Sequence, residues 1–109
     1  MRRANVYCRG ILAGVLSKDR TDTYRFQYAP AYRSSPKCPA ISLSLPMQEA
    51  PFESPLLFPF FFGLLAEGEE KALQCRILKI DESDHFTRLL RTCKTETIGG
   101  VTVEEGEST

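Results

Sequence analysis

The residues able to do chemistry are few and scattered. Four cysteines stand at Cys8, Cys38, Cys75 and Cys93 with no CxxC pair, and the single histidine, His85, is remote from each of them in sequence. Zinc sites draw on clustered Cys and His ligands, so this spacing argues against a metal centre. A thiol–imidazole dyad would need folding to bring the two together, and structural thiols are the simpler reading. Cys75 and Cys93 fall at apolar-periodic positions and read as small core hydrophobes, and free thiols point to a reducing cytoplasm. The Asp81-Glu82-Ser83-Asp84 run lacks calcium-loop spacing, and helix capping accounts for it. The two glycines of "IGGV" match no phosphate-binding fingerprint, and there is no GxSxG elbow. Glu67, Glu69 and Glu70 crowd into one turn; paired carboxylates can move protons, but a solvated turn is the default for such a cluster. These residues point away from an enzyme, and they call for no cofactor.

The 109-residue chain is long enough for one domain with one core. Hydrophobic residues make up 42% and charged residues 26%, a globular balance rather than a disordered one. Formal net charge is zero, so no global field draws the chain to nucleic acid or anionic lipid. The charge is uneven: the first third is basic, and the tail after Thr102 carries Glu104, Glu105 and Glu107 without a base. Basic residues alternating along strands, with no helix-turn-helix signature, read as a solvated face rather than a DNA interface. The opening "MRRANVYCRGILAGVL" imitates a signal peptide, but Arg9 and Gly10 split its apolar stretch. The Phe-rich run from Pro55 to Ala66 contains Pro59 and Gly63 and falls short of the roughly twenty apolar residues a spanning helix needs. No membrane contact is expected.

The elements that must position these residues follow from periodicity. Ala4, Val6 and Cys8 alternate with Asn5 and Tyr7, and Arg9-Gly10 is a two-residue turn signal, so the chain opens with a hairpin. Tyr24, Phe26 and Tyr28 then share one face of a third strand. "APAYRSSPKCPA" reads as a loop, "ISLSLP" as a short strand or edge segment with Ile41, Leu43 and Leu45 on one side, and "MQEAPFESP" as a connection. Three helical segments come next. The first carries a Leu57, Phe61, Leu64, Leu65 stripe, with Pro59 in its first turn. The second, Glu69–Lys79, places Leu73, Ile77 and Ile80 on one face, with acids at its N-terminus. The third is capped by Asp81 or Ser83, with Phe86, Leu89, Leu90 and Cys93 inward and His85 at the boundary. A last strand holds Val101 and Val103. The expected class is α+β: a small, mainly antiparallel sheet, from an N-terminal meander and a C-terminal strand, with about three helices packed on one face. Residues 1–109 form one domain, with flexible ends at about 1–3 and 105–109.

"NVYCRGILAGVL", "ISLSLP", "FPFFFGLLAEG", "RILKID" and "ETIGGVTVEE" stand in the order of the motifs in the amino-terminal domain of HipA-type serine/threonine kinases, which this chain resembles from about Asn5 to Glu105. That family has a Y-x-N-G-x-x-x-G-x-L hairpin, an S-L-P segment, an F-F-x-x-L-L-P-E-G helix and turn, and a closing G-A-V strand. The resemblance implies that a kinase body, where present, follows the closing strand. This chain ends at Thr109, so kinase chemistry is not expected of it. A free-standing domain of this kind is similar to HipS, the antitoxin of HipB–HipS–HipT toxin–antitoxin systems, which binds and neutralises the kinase HipT while HipB supplies DNA binding. The chain departs from the family at Phe62, where Asp is frequent, at Ala66, where Pro is, at Arg9, where Asn is, and at Glu69, where a bulky or apolar residue is common.

By this resemblance the chain is an antitoxin for a HipA/HipT-like kinase, with a HipB-like DNA-binding protein as a further partner. The expected contact is the 66–70 turn, Ala66, Glu67, Gly68, Glu69 and Glu70, with Phe62 beside it. Phe62 has two readings: part of a wider buried helix face under the 31–39 loop, or an exposed aromatic anchor of the kind enriched in interface hot spots. The main alternative function is a structural subunit that completes a split kinase without inhibiting it.

Overall fold

The computed structural model describes residues 2–35, 37–93 and 100–106. Five strands, β1 (Arg2–Cys8), β2 (Ile11–Lys18), β3 (Tyr24–Tyr28), β4 (Phe52–Ser54) and β5 (Val101–Glu105), form an antiparallel sheet in the order β4-β3-β2-β1-β5. Four helices accompany it: α1 (Pro30–Ser34), α2 (Pro59–Phe62), α3 (Gly68–Leu78) and α4 (His85–Thr92). This is the α+β arrangement the sequence implies, with two of the four helices only a turn or so long. Of the expected flexible ends at 1–3 and 105–109, residues 1 and 107–109 lie outside the described residues, as do Ile98 and Gly99 of the last-strand motif. At the other edge of that expectation, Arg2 and Arg3 already belong to β1, paired with Lys18 and Ser17.

Period-two alternation builds the sheet's inner face. Ala4, Val6 and Cys8 of β1, Tyr24, Phe26 and Tyr28 of β3, and Val101 and Val103 of β5 are all buried. The β1–β2 turn has Arg9 at φ 52 and Gly10 at φ 81, the two positive values that match the twist of a tight hairpin. A bulge interrupts β1–β2: Val6 pairs with Gly14 and Tyr7 with Leu12, leaving Ala13 as the extra residue. A Cβ on Gly14 would stand 2.4 Å from the Gln27 carbonyl oxygen and 2.9 Å from the Phe26 ring. Only glycine lets β3 lie that close.

The helices cover this one face. Phe61 packs on Phe26 with ring centroids 5.5 Å apart, and Phe86 lies 6.4 Å from Tyr24. Phe58, Leu65, Leu89, Leu90 and Cys93 complete the core. The Phe86, Leu89, Leu90, Cys93 stripe is thus where its spacing puts it.

Several local expectations are corrected. The 41–45 segment is no strand but a turn with a single Ser42–Leu45 bridge, and Leu43 is fully exposed. Its backbone is claimed locally: the Tyr28 hydroxyl donates to the Leu45 carbonyl and accepts from the Ile41 N–H, and the Ser42 hydroxyl accepts from the Ser44 N–H. The fourth strand comes instead from Phe52–Ser54, inside the stretch read as a connection. The 29–40 loop contains α1, started by Pro30 at its first position and anchored by buried Tyr32, whose hydroxyl donates to the Pro39 carbonyl. The first helical segment shrinks to α2, because Gly63 closes it after one turn. α3 turns its Leu73–Ile77 side to solvent and buries Cys75. The cap of α4 is Asp84 rather than Asp81 or Ser83; Asp81 accepts from Ser83 instead.

Candidate functional site: the acidic turn and its support

The 66–70 turn is built between two anchors. On one side Phe61 is fully buried and Leu65 nearly so, tying the end of α2 to the core. On the other side α3 begins. Glu67 is extended, at φ −125 and ψ 163, and Gly68 takes φ +63. A Cβ on Gly68 would meet nothing within 4 Å, so glycine serves the left-handed backbone there rather than a lack of space. Glu67, Gly68, Glu69 and Glu70 are all exposed. Glu69 and Glu70 sit in the first turn of α3, where the helix dipole favours carboxylates.

Phe62 lies outside this anchor. It is 40% exposed, and its ring meets the His85 ring edge-to-face, centroids 5.0 Å apart and planes at 75°. Its cover is therefore His85 at the head of α4. Burial first, and then the Arg88 and Lys71 charges, hold the His85 imidazole below its ordinary 6.5.

Beneath the turn lies a residue that sequence reasoning passes over. Arg88 is only 3% exposed. One guanidinium nitrogen, Nη2, donates to the Ala66 carbonyl at 2.8 Å; the other, Nη1, lies 3.2 Å from His85 Nδ1 and 3.4 Å from the Glu82 carbonyl. On a helical wheel Arg88 falls about 200° from Phe86, so periodicity assigns it to solvent. It is buried because the chain around Ala66 and Glu82 covers the far side of α4. The one hint in the sequence is its i, i+3 spacing from His85. A second link ties turn to helix: the Cys93 thiol lies 3.8 Å from the Leu64 carbonyl.

The six expected residues fall in two stretches of chain, Phe62 at the end of α2 and Ala66–Glu70 leading into α3. Phe62, Glu67, Gly68, Glu69 and Glu70 are each exposed, and half-buried Ala66 accepts from Arg88. Among the described residues no group of three or more His, Cys, Asp or Glu could hold a metal. Cys38, Cys75 and Cys93 are free, and burial raises the Cys93 thiol above its usual range, which keeps it protonated. What the turn offers is exposed carboxylate acceptors, with the Ala66 carbonyl held from below by Arg88.

Residues 4–104 match the HipA N-terminal domain family. This chain belongs to it. The HipA N-terminal domain identified here is similar over its full length to a solved structure described as the N-terminal domain of HipA toxin, at 32% identity and a TM-score of 0.70, covering 96% of that chain. It is 35% identical over 105 residues to an uncharacterized protein of Haemophilus influenzae, covering 96% of this chain and 93% of the relative. It is also 30% identical over 91 residues to a putative kinase, Y4mE, of Sinorhizobium fredii, where 84% of this chain matches 22% of that protein. The HipA-type domain can therefore stand as a small part of a much longer relative. No helix among the described residues is long and apolar enough to cross a membrane.

Proposed function

We propose that this protein is an antitoxin that binds a HipA/HipT-like serine/threonine kinase and neutralises it by presenting the 66–70 turn near the kinase active site. The observation that carries the reading is the turn itself: three exposed glutamates on a backbone held by buried Arg88, with the half-exposed Phe62 ring four positions before Ala66 in the chain. Carboxylates so placed compete with phosphate for the basic groups of a kinase cleft. Phe62 supplies the apolar contact that such an electrostatic match lacks. A HipB-like DNA-binding protein is the third member on this reading, and this chain contacts neither nucleic acid nor membrane.

Co-expression with a HipA-like kinase from the same genome tests it. The wild-type protein is expected to restore growth and lower phosphorylation by the kinase. The combined Glu67→Ala, Glu69→Ala, Glu70→Ala variant is expected to bind more weakly and to lose neutralisation. Normal suppression by that variant would remove the acidic-turn mechanism.

One observation favours a second reading, a subunit that completes a split kinase. Leu73 and Ile77 are 52% and 68% exposed, one helical turn apart on α3, and form an apolar strip continuous with the turn. In the Sinorhizobium relative the matching segment belongs to the same chain as the rest of a putative kinase. A scaffold raises the yield of soluble, active kinase on co-expression, whereas an inhibitor lowers its activity.

A further inference from the structure

Among the described residues Arg88 is the one charged side chain that is fully buried, and none of their ion pairs includes it. Its charge is met by two carbonyls and an imidazole nitrogen. A guanidinium only donates hydrogen bonds, so His85 Nδ1 must accept, and the imidazole must be neutral with its proton on Nε2. A proton on Nδ1 removes that acceptor and sets a second cation 3.2 Å from the first. We propose that Arg88 is the positioning residue of the 66–70 turn, and that it holds the turn only while His85 is neutral.

The surroundings of His85 support this. Arg88 on its own helix, Lys71 on α3 and Lys18 on β2 all oppose a positive imidazole, and only Asp84 favours one. The Phe62 ring covers one side and brings no compensating charge. Acidification therefore loosens the Arg88 contacts, and the nearest of these to the exposed glutamates is the Ala66 carbonyl. The geometry concerns the protein alone. Its consequence, weaker partner binding in acid, rests on the antitoxin reading.

The test is an NMR titration of the free protein between about pH 7.5 and 5.5, the range in which histidine changes charge. The backbone amide signals of Glu67 and Gly68 are expected to move with the same midpoint as the His85 ring, below 6.5. In His85→Gln the side-chain oxygen still accepts from Arg88 but does not titrate, and those amides are expected to stay in place. In Arg88→Met they are expected to be displaced already at the upper end of the range. Stationary turn amides in the wild type while His85 titrates, or the same titration in His85→Gln, would overturn the proposal. So would unchanged turn signals in a folded Arg88→Met. If Arg88→Met does not fold, the wild type and His85→Gln decide the matter. If the amides behave as expected but kinase binding shows no pH dependence, the fault lies with the antitoxin reading and not with the Arg88 contact.

Discussion

Adjacent residues can have opposite jobs. Phe61 is fully buried against Phe26, whereas Phe62, next in line, keeps 40% of its surface exposed. Phe61→Ala removes a ring from a closed core and is expected to cost about 3–5 kcal/mol in urea denaturation. Phe62→Ala should change stability by less than about 1 kcal/mol, while weakening any partner contact. At Gly14 the limiting factor is space: an added methyl group meets a backbone carbonyl, so Gly14→Ala is expected to destabilise by about 1–3 kcal/mol. At Gly68 there is space, and the limiting factor is the backbone: Gly68→Ala costs about 1–2 kcal/mol through its left-handed φ alone. The 3.6-residue stripe marked Phe61 for the core but left Phe62 open between a wider buried face and an exposed anchor, and the fold leaves it 40% exposed. Arg88 was not legible, because its burial comes from segments that periodicity within α4 does not see.

At the scale of elements, α3 and α4 differ in what holds them. α4 has an N-cap: Asp84 accepts from the Thr87 N–H at 3.2 Å and the Thr87 hydroxyl at 2.7 Å. Burial pulls the Asp84 carboxyl upward, but these hydrogen bonds and Arg2 outweigh it, and the group lies below its usual range. Asp84→Ala is expected to cost about 1 kcal/mol in denaturant melts, and Asp84→Asn much less. α3 has no side-chain cap, and Cys75 is its one buried residue. Serine at both Leu73 and Ile77 should therefore leave stability within about 0.5 kcal/mol of wild type, whereas Leu89→Ala in α4 should cost about 2–5 kcal/mol. A helix that contributes so little to its own core is free to contribute elsewhere. The 41–45 segment shows the reverse error. Alternating Ile41, Leu43 and Leu45 imitate a strand, but the Ser42 and Tyr28 hydroxyls take up backbone groups a neighbouring strand would need.

At the scale of the whole molecule, among the described residues, depressed carboxylates and His85 link folding to pH on acidification. The Thr21 hydroxyl, the Thr23 N–H and Arg25 bring Asp19 down to about 2, and hydrogen bonds from Ser83 lower Asp81. A carboxylate depressed in the folded state stabilises it above the unfolded value near 3.8, and that contribution is lost as pH falls through the folded value. His85 is also depressed, so its contribution is present above 6.5 and is lost as pH falls through its lower folded value. Stability measured by denaturant should thus decline in two stages on acidification. His85→Gln should remove the upper stage and leave the lower one.

Composition, strand alternation and one amphipathic helix stripe were enough to determine the α+β class, the opening hairpin, the third strand and the inward face of α4. Those signals are local: each residue's burial follows from its neighbours two, three or four positions away. The ordered motifs added the HipA N-terminal resemblance, and with it the position of the acidic turn. Tertiary structure alone decided the rest. It set Phe62 against His85, turned Leu73 and Ile77 outward, made Phe52–Ser54 a strand, and buried Arg88 under Ala66. Phe62, Phe52–Ser54 and Arg88 are each decided by contacts between segments far apart in the chain, and Leu73 and Ile77 by the lack of any described segment over them; no periodicity within one segment records what another will cover.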